Sequence, residues 1–346
     1  MLDRRRQIWA PDFECYDKEA ARTVFESARK DQLKNRVKDS QEPVYGADEV
    51  YWPTDFINRP GEWNELALDN IAVFDSGCDP KHAALAGRVD FADEISKRDL
   101  TGHGTFVAGC IAAKFSENLE GKIADGLLSS SRVWMANVLT DAVQSGGKTV
   151  YQIDPKRYGL FLEKLIAAKS AKRKSRLSKI QVLSLSLGAS TPDPEERRLI
   201  AAVIKSGITV VAAAGNNPLG FESEQSVMYP AAYPDVISVG AMAVPRSSKP
   251  TRWPRSLRIP PPESYRESGV DIYAPGECVL SSWPTGIDYT VKFSGWCSGT
   301  SMATPFVAAA VAVLRAQGVS SRAEILARLA ESSPSIDGVP TLRWEK

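Results

Sequence analysis

Histidine is almost missing from this chain: 346 residues contain two, His82 and His103. Any histidine-based proton transfer must therefore use one of them. No apolar run approaches the roughly 20 residues of a membrane span, so no membrane partner is expected. The start, Met-Leu-Asp-Arg-Arg-Arg-Gln, is not followed by the apolar stretch of a secretory signal, and the expected location is cytoplasmic. A charge excess of either sign is also missing. With 43 Lys and Arg against 42 Asp and Glu, the chain carries no global field that would gather nucleic acid or an acidic membrane. The five cysteines, Cys15, Cys78, Cys110, Cys278 and Cys297, are scattered, odd in number and without metal-site spacing. That pattern suits reduced thiols better than a disulfide framework.

What is present is an alternation. β-branched runs at 71–74, 133–138, 181–187, 208–213 and 235–240 are separated by helical patterns at about 104–115, 156–172, 195–206, 300–317 and 321–332. Strands that are apolar on both faces, alternating with helices, predict an α/β three-layer sandwich with a mainly parallel central sheet and helices on both faces. In such a sheet the catalytic groups gather at the carboxyl ends of the strands.

Residues 1–66 read differently: polar, with one amphipathic helix near 17–37 and a Pro/Gly/Trp-rich connector at 43–64. They are read as an N-terminal extension, 1–66, to a larger domain at 67–346. A packed extension, a prosegment and a docking arm for a regulatory protein are the three readings left open. Two basic stretches, Lys169–Lys179 with six positive charges and Arg246–Arg258 with five, are read as a solvated helix end and a surface loop. Aromatic interleaving is sparse, so nucleic acid is not the expected partner. Gly146-Gly-Lys-Thr149 lacks the upstream glycine and the preceding strand of a phosphate-binding loop.

Four segments carry chemistry-bearing residues. The first predicted strand runs into Asp75-Ser-Gly77, which alone reads equally well as a turn. Thr101-Gly-His-Gly-Thr105 places His103 at the start of a helix with glycine on both sides, whereas His82 has none and is read as packing or capping a loop. Val210-Val-Ala-Ala-Ala-Gly-Asn216 ends a strand on an amide that can donate to an oxyanion without carrying charge, although a turn asparagine is the commoner explanation. Ser298-Gly-Thr-Ser-Met-Ala-Thr-Pro305 opens a strongly apolar helix with Ser301 in its first turn, where a capping serine is the plain reading and Pro305 near the start is tolerated.

In the order Asp75, His103, Asn216, Ser301, these segments resemble the subtilisin-like serine protease family, the subtilases. The motifs Asp-Ser-Gly, Gly-His-Gly-Thr-x-Val-Ala-Gly and Gly-Thr-Ser-Met-Ala-x-Pro all match, with further similarity at 184–188, 229–240 and 273–276. The resemblance implies an endopeptidase acting on a polypeptide substrate. Ser301 would be the nucleophile, His103 the base, Asp75 the residue that orients it and Asn216 an oxyanion donor. It also implies that Ser186, Leu187 and Gly188 pair with an extended substrate, that Ala213, Ala214 and Gly215 wall the first specificity pocket, and that Met228 stands at its floor where many relatives carry a small residue. The chain departs from the family pattern at Ser298, Phe106, Phe306 and Ala309, none of which removes a proton-transfer group. No cofactor is expected. The stretch 114–131 does not look like the family's common calcium loop, and no calcium ligands are assigned. The alternative function is a catalytically restrained regulatory or binding module on the same fold.

Overall fold

A computed structural model of the chain describes residues 14–16, 18–35, 52–114, 125–140, 143–145, 148–172, 174–217, 226–247, 249–258, 269–284, 294–331 and 333–344. The elements run β1 (Glu14–Tyr16), α1 (Lys18–Asn35), α2 (Trp52–Ile57), β2 (Ile71–Asp75), β3 (Val89–Phe91), α3 (His103–Ala112) and β4 (Val133–Asn137). A small hairpin, β5 (Val143–Ser145) and β6 (Lys148–Val150), follows, then α4 (Pro155–Ser170), β7 (Val182–Leu185), α5 (Pro194–Lys205), β8 (Thr209–Ala213) and β9 (Ile237–Met242). The remainder is β10 (Ile272–Pro275), β11 (Val279–Ser282), β12 (Ser294–Ser298), α6 (Thr300–Ala316), α7 (Arg322–Ala330), β13 (Ser335–Ile336) and β14 (Val339–Pro340).

Seven strands form the central sheet in the order β10-β9-β8-β7-β2-β4-β3, and each adjacent pair is parallel. β2, β4, β7, β8 and β9 are buried at every position, as strands covered on both faces must be. α3 and α6 pack together on one face, while α4 and α5 pack together on the other. The expected three-layer architecture is therefore the one found.

From β2 the chain fills one side of the sheet with β3 and β4, then crosses to β7 on the other side of β2. The switch in strand order thus falls between β2 and β7, and the carboxyl ends of strands at such a switch are where ligands bind in sheets of this kind. Asp75 closes β2 in register with Asn137 of β4, and Ser186 directly follows β7.

The helix expected near 17–37 is α1. It buries Ala21, Phe25 and Ala28 in the same core that the sheet and its helices share. β1 pairs antiparallel with β12, which pairs with β11. Residues 36–51, and with them the first part of the expected connector, lie outside the described residues. Its later part carries α2, whose Trp52 indole donates to the Cys278 carbonyl at 3.1 Å. The Gly146-Gly147 pair and positions 115–124 of the loop considered for calcium also lie outside them.

The basic stretches are tied down. Lys179 meets Asp69 at 2.7 Å, Arg176 meets Asp90 at 2.9 Å and Lys169 donates to the Ser178 carbonyl at 3.0 Å. In the second stretch, Arg246 pairs with Glu277 at 3.0 Å, Arg258 pairs with Asp337 at 3.0 Å and Arg255 donates to the Asn217 carbonyl at 3.0 Å. Among the described residues no helix is long and apolar enough to cross a membrane.

Candidate active site

β2 ends on Asp75, at the carboxyl edge of the sheet, and α3 begins at His103. The approach of these two segments depends on backbone without side chains. Gly102 has φ +82°, and a Cβ there would sit 2.5 Å from the Trp283 ring, while a Cβ on Gly104 would run into the Gly77 carbonyl. With both positions bare, His103 Nδ1 lies 2.7 Å from Asp75 Oδ1. Both side chains are buried, with 5% and 3% of their surface exposed. The same Asp75 oxygen accepts from the Ser76 N–H at 2.7 Å. His82, the other histidine, is fully buried ahead of a 3-10 turn at Ala83–Leu85, and its side chain makes no capping hydrogen bond to that turn.

Asp99, not singled out from sequence, holds this arrangement in place. One of its oxygens accepts from the Ser76 hydroxyl at 2.8 Å and the Gly102 N–H at 2.9 Å; the other accepts from the Thr105 N–H at 2.8 Å and the Thr105 hydroxyl at 2.6 Å. Ser76 in turn accepts from the Gly104 N–H at 2.8 Å. One carboxylate therefore fastens the loop after Asp75 to the first turn of α3. An acid just before a helix start is a capping signal, and that was the available clue. Burial pushes the Asp99 carboxyl up, outweighing the hydrogen bonds from Thr105 and Ser76 that pull it down. Because the folded value is raised, the proton it holds favours the fold at low pH, and that contribution is lost as pH rises through the folded value. Asp99→Asn turns one acceptor into a donor facing donors. It is expected to destabilise the protein by about 1–3 kcal/mol, read as a lower Tm. It should also lower kcat by up to about 100-fold through displacement of His103.

Ser301 lies in the first turn of α6, a helix buried along nearly its whole length. Pro305 is the sixth residue of that helix, deeper than the helix start where proline is freely tolerated. Its missing N–H leaves the Ser301 carbonyl, four residues back, without its helical donor. Ser186 compensates: its hydroxyl donates to that carbonyl at 2.9 Å, and its own carbonyl accepts from the Ser301 hydroxyl at 3.2 Å. Ser186, expected only as a substrate-pairing residue, seats the serine and its helix turn.

Asn216 follows the carboxyl end of β8. Its Oδ1 accepts from the Thr300 N–H at 2.9 Å and from the Thr300 hydroxyl at 3.1 Å. The Thr300 hydroxyl also accepts from the Gly215 N–H at 3.1 Å. The amide is therefore oriented by its oxygen, and its NH2 is the end directed away from Thr300.

Met228 is half-buried between the two strand-end segments. A Cβ on Gly215 would meet its Cγ at 2.7 Å, and one on Gly188 would meet its Cβ at 3.0 Å. Its N–H donates to the Ala214 carbonyl at 2.9 Å. Ala213 and Ala214 are buried at the end of β8, and Leu187 is half-exposed beside them. Asp75, His103, Ser186, Ser301 and Asn216 are thus held at the carboxyl ends of the strands and the segments that follow them, with Met228 packed against Gly188 and Gly215. Among the described residues no group of three or more His, Cys, Asp or Glu is placed to hold a metal ion.

The family model for subtilases, peptidase family S8, matches residues 70–333 of this chain. The chain belongs to the subtilase family. It is 31% identical to the major intracellular serine protease of Bacillus subtilis strain 168, over 79% of this chain and 78% of that protein. It is also 31% identical to an intracellular serine protease of Paenibacillus polymyxa, over 78% and 73%, and 32% identical to a subtilisin of Bacillus pumilus, over 70% and 75%. As a subtilase it is a serine-type endopeptidase. The matched span contains every residue expected at the site and begins after α2, so the N-terminal β1 and α1 lie outside it.

Proposed function

We propose that this subtilase hydrolyses peptide bonds through an acyl-enzyme on Ser301. The contact of His103 Nδ1 with Asp75 Oδ1, buried at the carboxyl edge of the sheet, carries the reading. Asp75 holds the hydrogen on Nδ1, so Nε2 is the nitrogen that takes the Ser301 proton as the hydroxyl attacks the scissile carbonyl. His103, now a cation stabilised by Asp75, returns that proton to the leaving amine, and water repeats the sequence on the ester. The Ser301 backbone N–H, at the start of α6 where amides lack helical partners, and the Asn216 NH2 donate to the oxyanion. Every step uses side chains and backbone of this chain. Two relatives named as intracellular serine proteases support the expected cytoplasmic location.

A peptide ester should give a burst of product stoichiometric with enzyme, followed by slower turnover. Turnover without a burst for any ester tested, or no hydrolysis at all, overturns the reading. Asn216→Ala should lower kcat by about 100- to 1,000-fold with little change in KM, a magnitude carried over from the matching donor in subtilisin rather than derived from this chain. An unchanged kcat removes Asn216 from the oxyanion site.

Met228 fills the space between Gly188 and Gly215, so the first specificity pocket is shallow and favours small side chains at the residue before the cleaved bond. Met228→Gly should raise the kcat/KM ratio of a phenylalanine substrate over its alanine counterpart by about 10-fold or more, since each buried methylene is worth 10-fold or more in discrimination. A peptide-library cleavage profile of both proteins checks it.

A further inference from the structure

The catalytic reading leaves five cysteines unused, and two of them face each other. β1 and β12 are antiparallel with Cys15 opposite Cys297, Glu14 opposite Ser298 and Tyr16 opposite Trp296. Directly opposed residues in an antiparallel pair have Cα atoms about 4.5–5.5 Å apart, inside the span a disulfide bridges. The two sulfurs are in contact at 2.7 Å, longer than the about 2.05 Å of a bond. Cys15 is exposed, and Cys297 is buried beneath it. Cys78, Cys110 and Cys278 are buried as Cys297 is, and burial pushes all four thiols up, that of Cys110 to about 12; what sets Cys297 apart is its contact with an exposed sulfur. The pair therefore has one sulfur that an external reagent can reach and a second already positioned to complete the exchange.

We infer that Cys15 and Cys297 form a reversible cross-strand disulfide when the protein meets an oxidised low-molecular-weight thiol such as glutathione disulfide. The Cys15 thiolate attacks the small disulfide, forming a mixed disulfide and releasing one thiol. Cys297 then attacks Cys15 Sγ, forming the protein S–S bond and releasing the second thiol. Two protein thiols lose two electrons and two protons, and one small disulfide gains them as two thiols.

The bond has a structural consequence. β12 leads through Ser298 and Gly299 into α6 and Ser301, and Trp296 stacks edge-on against Phe25 of α1 at 5.4 Å. A link at Cys15 fastens the N-terminal segment, which lies outside the span matched by the subtilase model, to the strand that leads into the helix bearing Ser301. This inference does not depend on the proposed catalytic roles.

The test uses the full chain with Ser301→Ala, which removes self-cleavage as a complication. The folded protein is equilibrated with oxidised glutathione, quenched with N-ethylmaleimide, digested and mapped without reduction. The expected result is a cross-linked peptide pair containing Cys15 and Cys297, lighter by two hydrogens (about 2 Da) than the two peptides together and released by dithiothreitol. Hydrogen exchange across 18–35 should slow on oxidation and recover on reduction. In Cys297→Ser the reaction should stop at Cys15 carrying glutathione. The inference fails if both cysteines of the starting protein are recovered with maleimide or if Cys15 stops at the mixed disulfide. It fails equally if Cys297 is found linked to Cys110 or Cys278.

Discussion

Ser301→Ala is expected to lower kcat by about a million-fold, a figure carried over from subtilisin, a member of this family, rather than derived from this chain. The fold should survive, because the hydroxyl makes one long hydrogen bond, to the Ser186 carbonyl at 3.2 Å. The stability change should stay within about 1 kcal/mol. The turn that carries Ser301 is held independently, by Ser186 on the Ser301 carbonyl and by Thr300 on Asn216. His103→Ala should cost about as much, and the double variant no more than either single one, because the two groups perform one proton transfer. Peptide hydrolysis measured beside thermal unfolding separates this outcome from simple misfolding. Comparable residual turnover in Ser301→Ala and wild type would place the chemistry elsewhere.

Asp75→Asn is the second large effect, about 10,000-fold in kcat, the size of the loss in unrelated proteases using the same triad logic. The substitution preserves shape, although an NH2 placed opposite Nδ1 takes the position of the oxygen that also accepts from the Ser76 N–H, and that bond is lost. What changes is the tautomer. An amide NH2 facing Nδ1 turns that nitrogen into an acceptor, places the hydrogen on Nε2 and leaves nothing to take the serine proton. KM should move little, because Asp75 lies behind the imidazole. A loss confined to KM would mean that Asp75 shapes the binding site and leaves the base alone.

The layer architecture was legible because β2, β4, β7, β8 and β9 are apolar on both faces and their runs are bounded by helical patterns. Other strands were not, β1, β3 and β12 among them. β3 has three half-exposed residues, too few to show a period. β12, Ser-Gly-Trp-Cys-Ser, has the composition of a loop and becomes a strand through its partners β1 and β11. β1 is a strand because of residues nearly three hundred positions away, and no local pattern encodes that pairing.

At the site, the glycines around His103 and the apolar helix behind Ser301 pointed to both residues. Asp99 was less visible, since its importance lies in donors from Ser76, Thr101, Gly102 and Thr105 that converge only after folding. Pro305 was read as belonging to the helix start. It lies deeper, and the compensating donor, Ser186, is 115 residues away in the chain. Met228 was placed by likeness to relatives, and the structure sets it between Gly188 and Gly215.

The most direct measurement is active-site labelling. The native protein, treated with a fluorophosphonate, digested and mapped by mass spectrometry, should carry one label on Ser301. Ser301→Ala should carry none, and Asp75→Asn should label far more slowly. A folded wild-type protein that takes no label, or takes it equally in Ser301→Ala, would contradict the account.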